Sequence, residues 1–124
     1  MTAPLYIAEL EPWEDLGFEP RKWQARALPR VLNALDRNVS GVVRAATGAG
    51  KSVLIAEVCR MRARDQIVVT TPTQNLVAQL HATIQKRLGE PVGQWYGRTK
   101  NKQRVTVCCN ASIATYAVQH NPPA

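Results

Sequence analysis

The chain has 124 residues, 45% of them apolar, and a net charge of +7. That length supports one small domain with one core. No apolar run approaches the roughly 18 residues of a membrane-crossing helix, and no basic-then-apolar leader opens the chain, so a soluble, cytoplasmic protein with no membrane partner is expected.

Three cysteines, Cys59, Cys108 and Cys109, form no C-x-x-C pair. They are expected to be buried reduced thiols rather than metal or redox ligands. Residues 1–19 carry Glu9, Glu11, Glu14, Asp15 and Glu19 and no Lys or Arg, so the remaining four acids face all 16 bases. No acid follows Glu90, while Arg98, Lys100, Lys102 and Arg104 crowd together. Such a body suits a polyanion such as nucleic acid. It also suits a domain that is basic for solubility alone.

Residues 1–19 read as an irregular acidic lead-in, with prolines at positions 4, 12 and 20. A helix follows from Trp23, with Leu28, Val31, Leu32 and Leu35 on one stripe and Asn38 and Gly41 as its stop. Gly41 to Ala45 is a short strand candidate that runs into a Gly-rich loop. Lys51 to Arg64 is a helix with Leu54, Ile55, Val58 and Met61 inward. Gln66 to Thr70 has the β-branched pattern of a strand buried on both faces. Pro72-Thr73 opens a helix with Leu76, Val77, Leu80, Ile84 and Leu88 inward. A strand at Pro91–Tyr96, a basic loop, a strand at Arg104–Cys108 and a helix from Ala111 to Val118 complete the order. This order predicts an α/β domain whose mainly parallel sheet is flanked by helices. No linker divides it.

Ala45-Ala46-Thr47-Gly48-Ala49-Gly50-Lys51-Ser52 lies between the strand candidate and a helix. Anion binding needs several backbone N–H groups converging on one phosphate, and glycines at 48 and 50 leave room for that. The helix start adds the positive end of its dipole. Lys51 can reach the β- and γ-phosphates, and the Ser52 hydroxyl can ligate Mg²⁺. ATP and Mg²⁺ are therefore the expected cofactors, with Thr47, Gly48, Ala49, Gly50, Lys51 and Ser52 as the cradle. The general pattern G-x-x-x-x-G-K-[ST] places Gly where this chain has Ala45. A small-molecule kinase is an alternative of this loop class, but such enzymes usually keep that Gly.

Ala-x-Thr-Gly-x-Gly-Lys-Ser resembles motif I of superfamily 2 helicases and translocases. Arg21-Lys22-Trp23-Gln24 resembles that family's adenine-reading motif, in which the Gln24 amide would both donate and accept, and Arg21 or Phe18 would stack on the ring. Pro72-Thr73-Gln74-Asn75-Leu76-Val77-Ala78-Gln79 resembles motif Ia, which implies that Pro72 and Thr73 meet a nucleic-acid backbone; a plain Thr73 helix cap uses the same N–H groups. Val92 to Arg98 resembles the strand and Gly-rich turn found in repair helicases and type III restriction motor subunits, implying phosphate contacts at Gly97, Arg98 and Lys100. Trp95 and Tyr96 are read as core more readily than as base-stacking rings. Val105 to Ile113 resembles the next nucleic-acid motif, with Ser112 as its contact, although Cys109 stands where the family has Thr.

The resemblance implies a partial, incomplete RecA-like P-loop NTPase domain over residues 20–124, truncated before the family's Asp-Glu motif. It also implies a parent that is an ATP-dependent helicase, with Lys51 as the catalytic group in this chain. DNA is the implied partner, with RNA as the alternative. The remainder of the motor, including a second RecA-like domain, is outside this sequence. The chain alone is expected to be inactive, and a non-hydrolysing relative that binds nucleic acid or a protein partner is the other reading. An exposed sheet edge is expected to favour a dimer.

Overall fold

In the computed structural model, residues 10–46 and 50–120 are described, with side chains through residue 117. The chain divides into two compact units, Met1–Arg64 and Asp65–Ala124.

The first unit contains helices α1 (Lys22–Asp36) and α2 (Lys51–Met61). Gln24 starts α1 by accepting from the Arg21 N–H at 2.8 Å, which satisfies a donor that a helix start leaves open. Asn38, at φ 56°, ends it, and the Val39 N–H returns to the Ala34 carbonyl at 2.8 Å. This is a left-handed stop of the kind Asn tolerates. Leu28, Leu54 and Met61 form the buried centre, and Leu10, Trp13, Trp23, Ala27, Leu32 and Val58 pack around it.

The lead-in is pinned rather than loose from residue 10 onward. Glu57, fully buried on α2, accepts the Trp13 N–H at 2.5 Å and pairs with Arg60 at 2.9 Å. Arg60 also donates to the Glu11 carbonyl. The hydrogen bond to Glu57 holds the Arg60 guanidinium above its ordinary pKa, against the cost of burial; the charges of Glu57, Glu14 and Asp15 add to the rise.

The second unit is a four-stranded sheet of β1 (Ile67–Thr71), β2 (Gly93–Tyr96), β3 (Thr99–Asn101) and β4 (Val105–Cys109). Its order is β1-β4-β2-β3. β4 runs parallel to both β1 and β2, and β3 is antiparallel to β2. Helix α3 (Gln74–Leu88) packs on β4, β2 and β1 through Val77, Leu80 and Ile84. Thr73 caps it by accepting from the Leu76 N–H, and Gly89 closes it at φ 69°. Side chains alternate across a strand, so Cys108 lies on the face opposite Val105 and Val107. There it meets Trp95, Val68 and Tyr116 of helix α4 (Ile113–His120). Arg104 ties Glu90 and the Asp65 carbonyl to the start of β4.

Several expectations are corrected. Residues 41–46 form no strand, and Val42 and Val43 are 88% and 47% exposed. A strand exists only where a neighbour completes its hydrogen bonds, and the sheet consists of β1–β4 alone among the described residues. The fully buried strand is β4; the β-branched run at Ile67–Thr71 is a half-buried edge. Leu76 and Leu35, expected inward, are 40% and 41% exposed. Both stand near the ends of their helices. Helix α2 stops at Met61, short of Arg64. The basic loop after Tyr96 contains β3, because Gly97 at φ 48° permits a tight return.

All three cysteines are free and buried, as the sequence suggested. Burial pushes the Cys108 thiol upward, the Cys109 charge adds to this, and Lys100 opposes it. A raised thiol pKa stabilises the fold below the ordinary thiol value. That contribution is lost as pH rises from there through the folded value. The second unit is therefore expected to weaken above about pH 8.5. Below it, Cys108 should react with iodoacetamide at a small fraction of the rate in urea, as mass spectrometry of the labelled peptide would read. Equal rates would remove the protection argued here.

Candidate functional site

The Gly-rich loop ends on Gly50, which stands at the N-terminus of α2 with φ 90°. Two constraints demand glycine there. The left-handed backbone disfavours a side chain, and a Cβ would lie 2.5 Å from Gln24 Nε2. Gln24 is 1% exposed, and its amide donates to the Gly50 carbonyl at 2.9 Å. The same side chain thus starts α1 and closes on the loop exit. One further hydrogen on Nε2 and one lone pair on Oε1 remain to it. Arg21 and Phe18 are exposed nearby in sequence, as a stacking role requires.

Lys51 and Ser52 occupy the first turn of α2 and are exposed. Gly50 has no side chain to cap this helix, and among the described residues no side-chain acceptor meets its first N–H groups. Exposed ammonium, exposed hydroxyl and uncapped amides fit a phosphate with its Mg²⁺. Thr47, Gly48 and Ala49 lie outside the described residues.

A second constellation belongs to the sheet. The carboxyl ends of the parallel strands β1, β4 and β2 lie side by side, since Thr71 registers with Cys109 and Trp95 with Cys108. The segments leaving those ends are Pro72-Thr73, the 3-10 turn Asn110–Ser112, and Gly97-Arg98. Three stretches far apart in sequence therefore share one edge, where open α/β sheets carry their ligands. The Thr71 hydroxyl donates to the Thr73 carbonyl at 2.9 Å, and the Cys109 thiol lies 3.8 Å from the Pro72 carbonyl. A Cβ on Gly97 would lie 3.8 Å from Gln74 Nε2, so the hairpin turn adjoins the start of α3. Pro72, Thr73, Gly97 and Arg98 are exposed, and Ser112 is half-buried.

Lys100, paired with Trp95, lies one step inside this edge, and Lys102 follows Asn101, which pairs with Gln94, farther from it; both are exposed, and Lys100 lies over the Trp95 ring. Arg104, fourth in the basic run, is engaged by Glu90. Trp95 is 3% exposed and belongs to the core, so base stacking on it is ruled out in this conformation. Gln74 escaped the sequence reading as a neighbour of Gly97, because nothing local relates residues so far apart.

The fold is α/β with a mainly parallel sheet, as a partial RecA-like domain requires. Residues 17–121 match the family model of the type III restriction enzyme res subunit, and the chain belongs to that family. It is thus the N-terminal region of a helicase superfamily 2 motor domain, from a helicase-type ATPase. No curated protein matches the sequence. No helix among the described residues is long and apolar enough to cross a membrane.

Proposed function

We propose that this chain is the ATP-binding front of a DNA-dependent helicase-type motor, with residues 1–19 as lead-in and residues 20–124 as a partial RecA-like domain. The convergence of Thr73, Gly97, Arg98 and Ser112 on one sheet edge is the observation that carries the reading. Backbone amides there and the charges of Arg98 and Lys100 suit a phosphodiester chain. At the loop, Lys51 neutralises the β- and γ-phosphates and Ser52 offers an oxygen to Mg²⁺. Mg²⁺, when held there, would offset part of the phosphate charge. Arg21, and the Nε2 hydrogen and Oε1 lone pair that Gln24 retains beside its bond to Gly50, are the groups for adenine.

Hydrolysis also needs carboxylates to hold Mg²⁺ and orient water, and no Asp or Glu follows Glu90. Residues 1–124 by themselves are therefore expected to bind without turnover; a non-hydrolysing relative that binds nucleic acid or a protein partner is the alternative. Self-association through an exposed sheet edge belongs to the same proposal, and sedimentation at rising concentration reads it.

The test is binding of a fluorescent ATP analogue with Mg²⁺. Lys51→Ala should weaken it at least tenfold, the value of one charge-assisted contact of about 1.5–3 kcal/mol. Unchanged affinity would sink the phosphate-loop role. For the edge, Arg98→Ala should lower the salt slope of oligonucleotide binding by about 0.7. An unaltered slope would mean that Arg98 meets no phosphate.

A further inference from the structure

The β2–β3 hairpin sets Trp95 directly opposite Lys100. Directly opposed residues carry their side chains on one face, with Cβ atoms about 4.5–5.5 Å apart. Lys100 Nζ lies 5.3 Å from the Trp95 ring centroid, within the roughly 6 Å over which a ring face attracts a cation. The ring itself is held. It is 3% exposed, and Tyr116 meets it edge-on at 5.4 Å and 87°. A lysine normally ends in a flexible four-carbon stem that must be ordered when its ammonium is used. Lys102, exposed and two residues along, has no aromatic partner among the described residues.

We propose that Trp95 is a positioning residue for nucleic-acid binding: its buried ring holds the Lys100 ammonium in place for a backbone phosphate. The proposal rests on the reading of the carboxyl edge as a nucleic-acid contact. Trp95 never touches the ligand and acts through Lys100. Tyr116 braces the ring from α4, the helix that follows Ser112, so two contact segments share one support. Ordering Lys100 before binding lowers what binding must order, and this raises affinity without a new contact.

The experiment is anisotropy of a labelled single-stranded oligonucleotide with the full chain, across a salt series. Trp95→Leu should weaken binding roughly threefold when Lys100 is present. It should change nothing further in a Lys100→Ala background, and should keep its full effect in a Lys102→Ala background. Trp95→Phe, which retains a ring face, should restore most of the loss. Equal weakening by Trp95→Leu with and without Lys100 would overturn the proposal. Because Trp95→Leu also removes core volume, the wild-type protein gives a second measurement. The Lys100 ε-methylene protons should resonate upfield under the ring, and an unshifted signal would overturn the proposal. Failure of the wild type to bind any oligonucleotide would overturn the edge reading and this role together. The upfield signal would then still show the ring contact, which separates that failure from this one.

Discussion

Glu57→Ala is expected to cost the first unit about 3–5 kcal/mol, the usual penalty for removing one partner of a buried ion pair. The carboxylate is fully buried and serves three donors: the Trp13 N–H and two nitrogens of Arg60. Without it, the Trp13 amide loses its acceptor and the Arg60 guanidinium loses its charge partner. The lead-in, which packs Leu10 and Trp13 on the core, loses its anchor with them. A unit of this size has about 5–15 kcal/mol at most to lose, so thermal melting should drop by tens of degrees or become non-cooperative. Glu57→Gln keeps an acceptor and should lose less. A melting curve for Glu57→Ala that overlays the wild type would refute the assignment. The effect should not vary with pH near neutrality. The stability linked to a raised Arg60 pKa is fully present below the ordinary arginine value and is lost only as pH rises through the folded one.

Gly93→Ala is expected to disrupt the second unit as severely. The added Cβ would lie 2.1 Å from the Asn101 carbonyl oxygen, 2.9 Å from the Gln103 nitrogen and 3.0 Å from Thr106 Oγ1. Two of these are backbone atoms that cannot rotate away. Thr106 is itself fixed, exchanging hydrogen bonds with the Gln103 N–H and carbonyl at 3.1 and 3.0 Å. Overpacking of this kind costs about 1–3 kcal/mol and more where the backbone must move. Gly89→Ala is a useful comparison. Its φ of 69° makes alanine strained, but nothing lies within 4 Å of the added atom, so a loss of about 1 kcal/mol is expected. Urea denaturation followed by Trp95 near-UV dichroism ranks the two. A Gly93→Ala midpoint at or above that of Gly89→Ala would contradict the close approach.

The periodic signals led to correct elements where burial is local. Val77, Leu80 and Ile84 line one face of α3, and Thr73 caps it as its side-chain chemistry suggests. What failed was anything that depends on a distant partner. The run at Ile67–Thr71 and the run at Val105–Cys109 look alike in sequence, yet only the second is enclosed by strands on both sides. Gly41–Ala45 has strand chemistry, yet these residues form no strand, since a ladder needs a partner that no local pattern supplies. At the candidate site, Gln24, Lys51, Thr73 and Arg98 were singled out by motif chemistry alone. The closure of Gln24 onto Gly50 and the adjacency of Gln74 and Gly97 were not, because both join residues with no periodic relation.

The strand order also fixes a timetable for synthesis. β1 and β2 are not neighbours; each pairs with β4, and Ile67 must wait for Val105. A nascent chain can close the β2–β3 hairpin early, since that pairing is local. β1 emerges with no partner, and its β-branched run stays unpaired until β4 has been made. During that interval the β-branched run is the segment most exposed to misassociation, so a chaperone acting on this protein should engage residues 67–71 before any other strand.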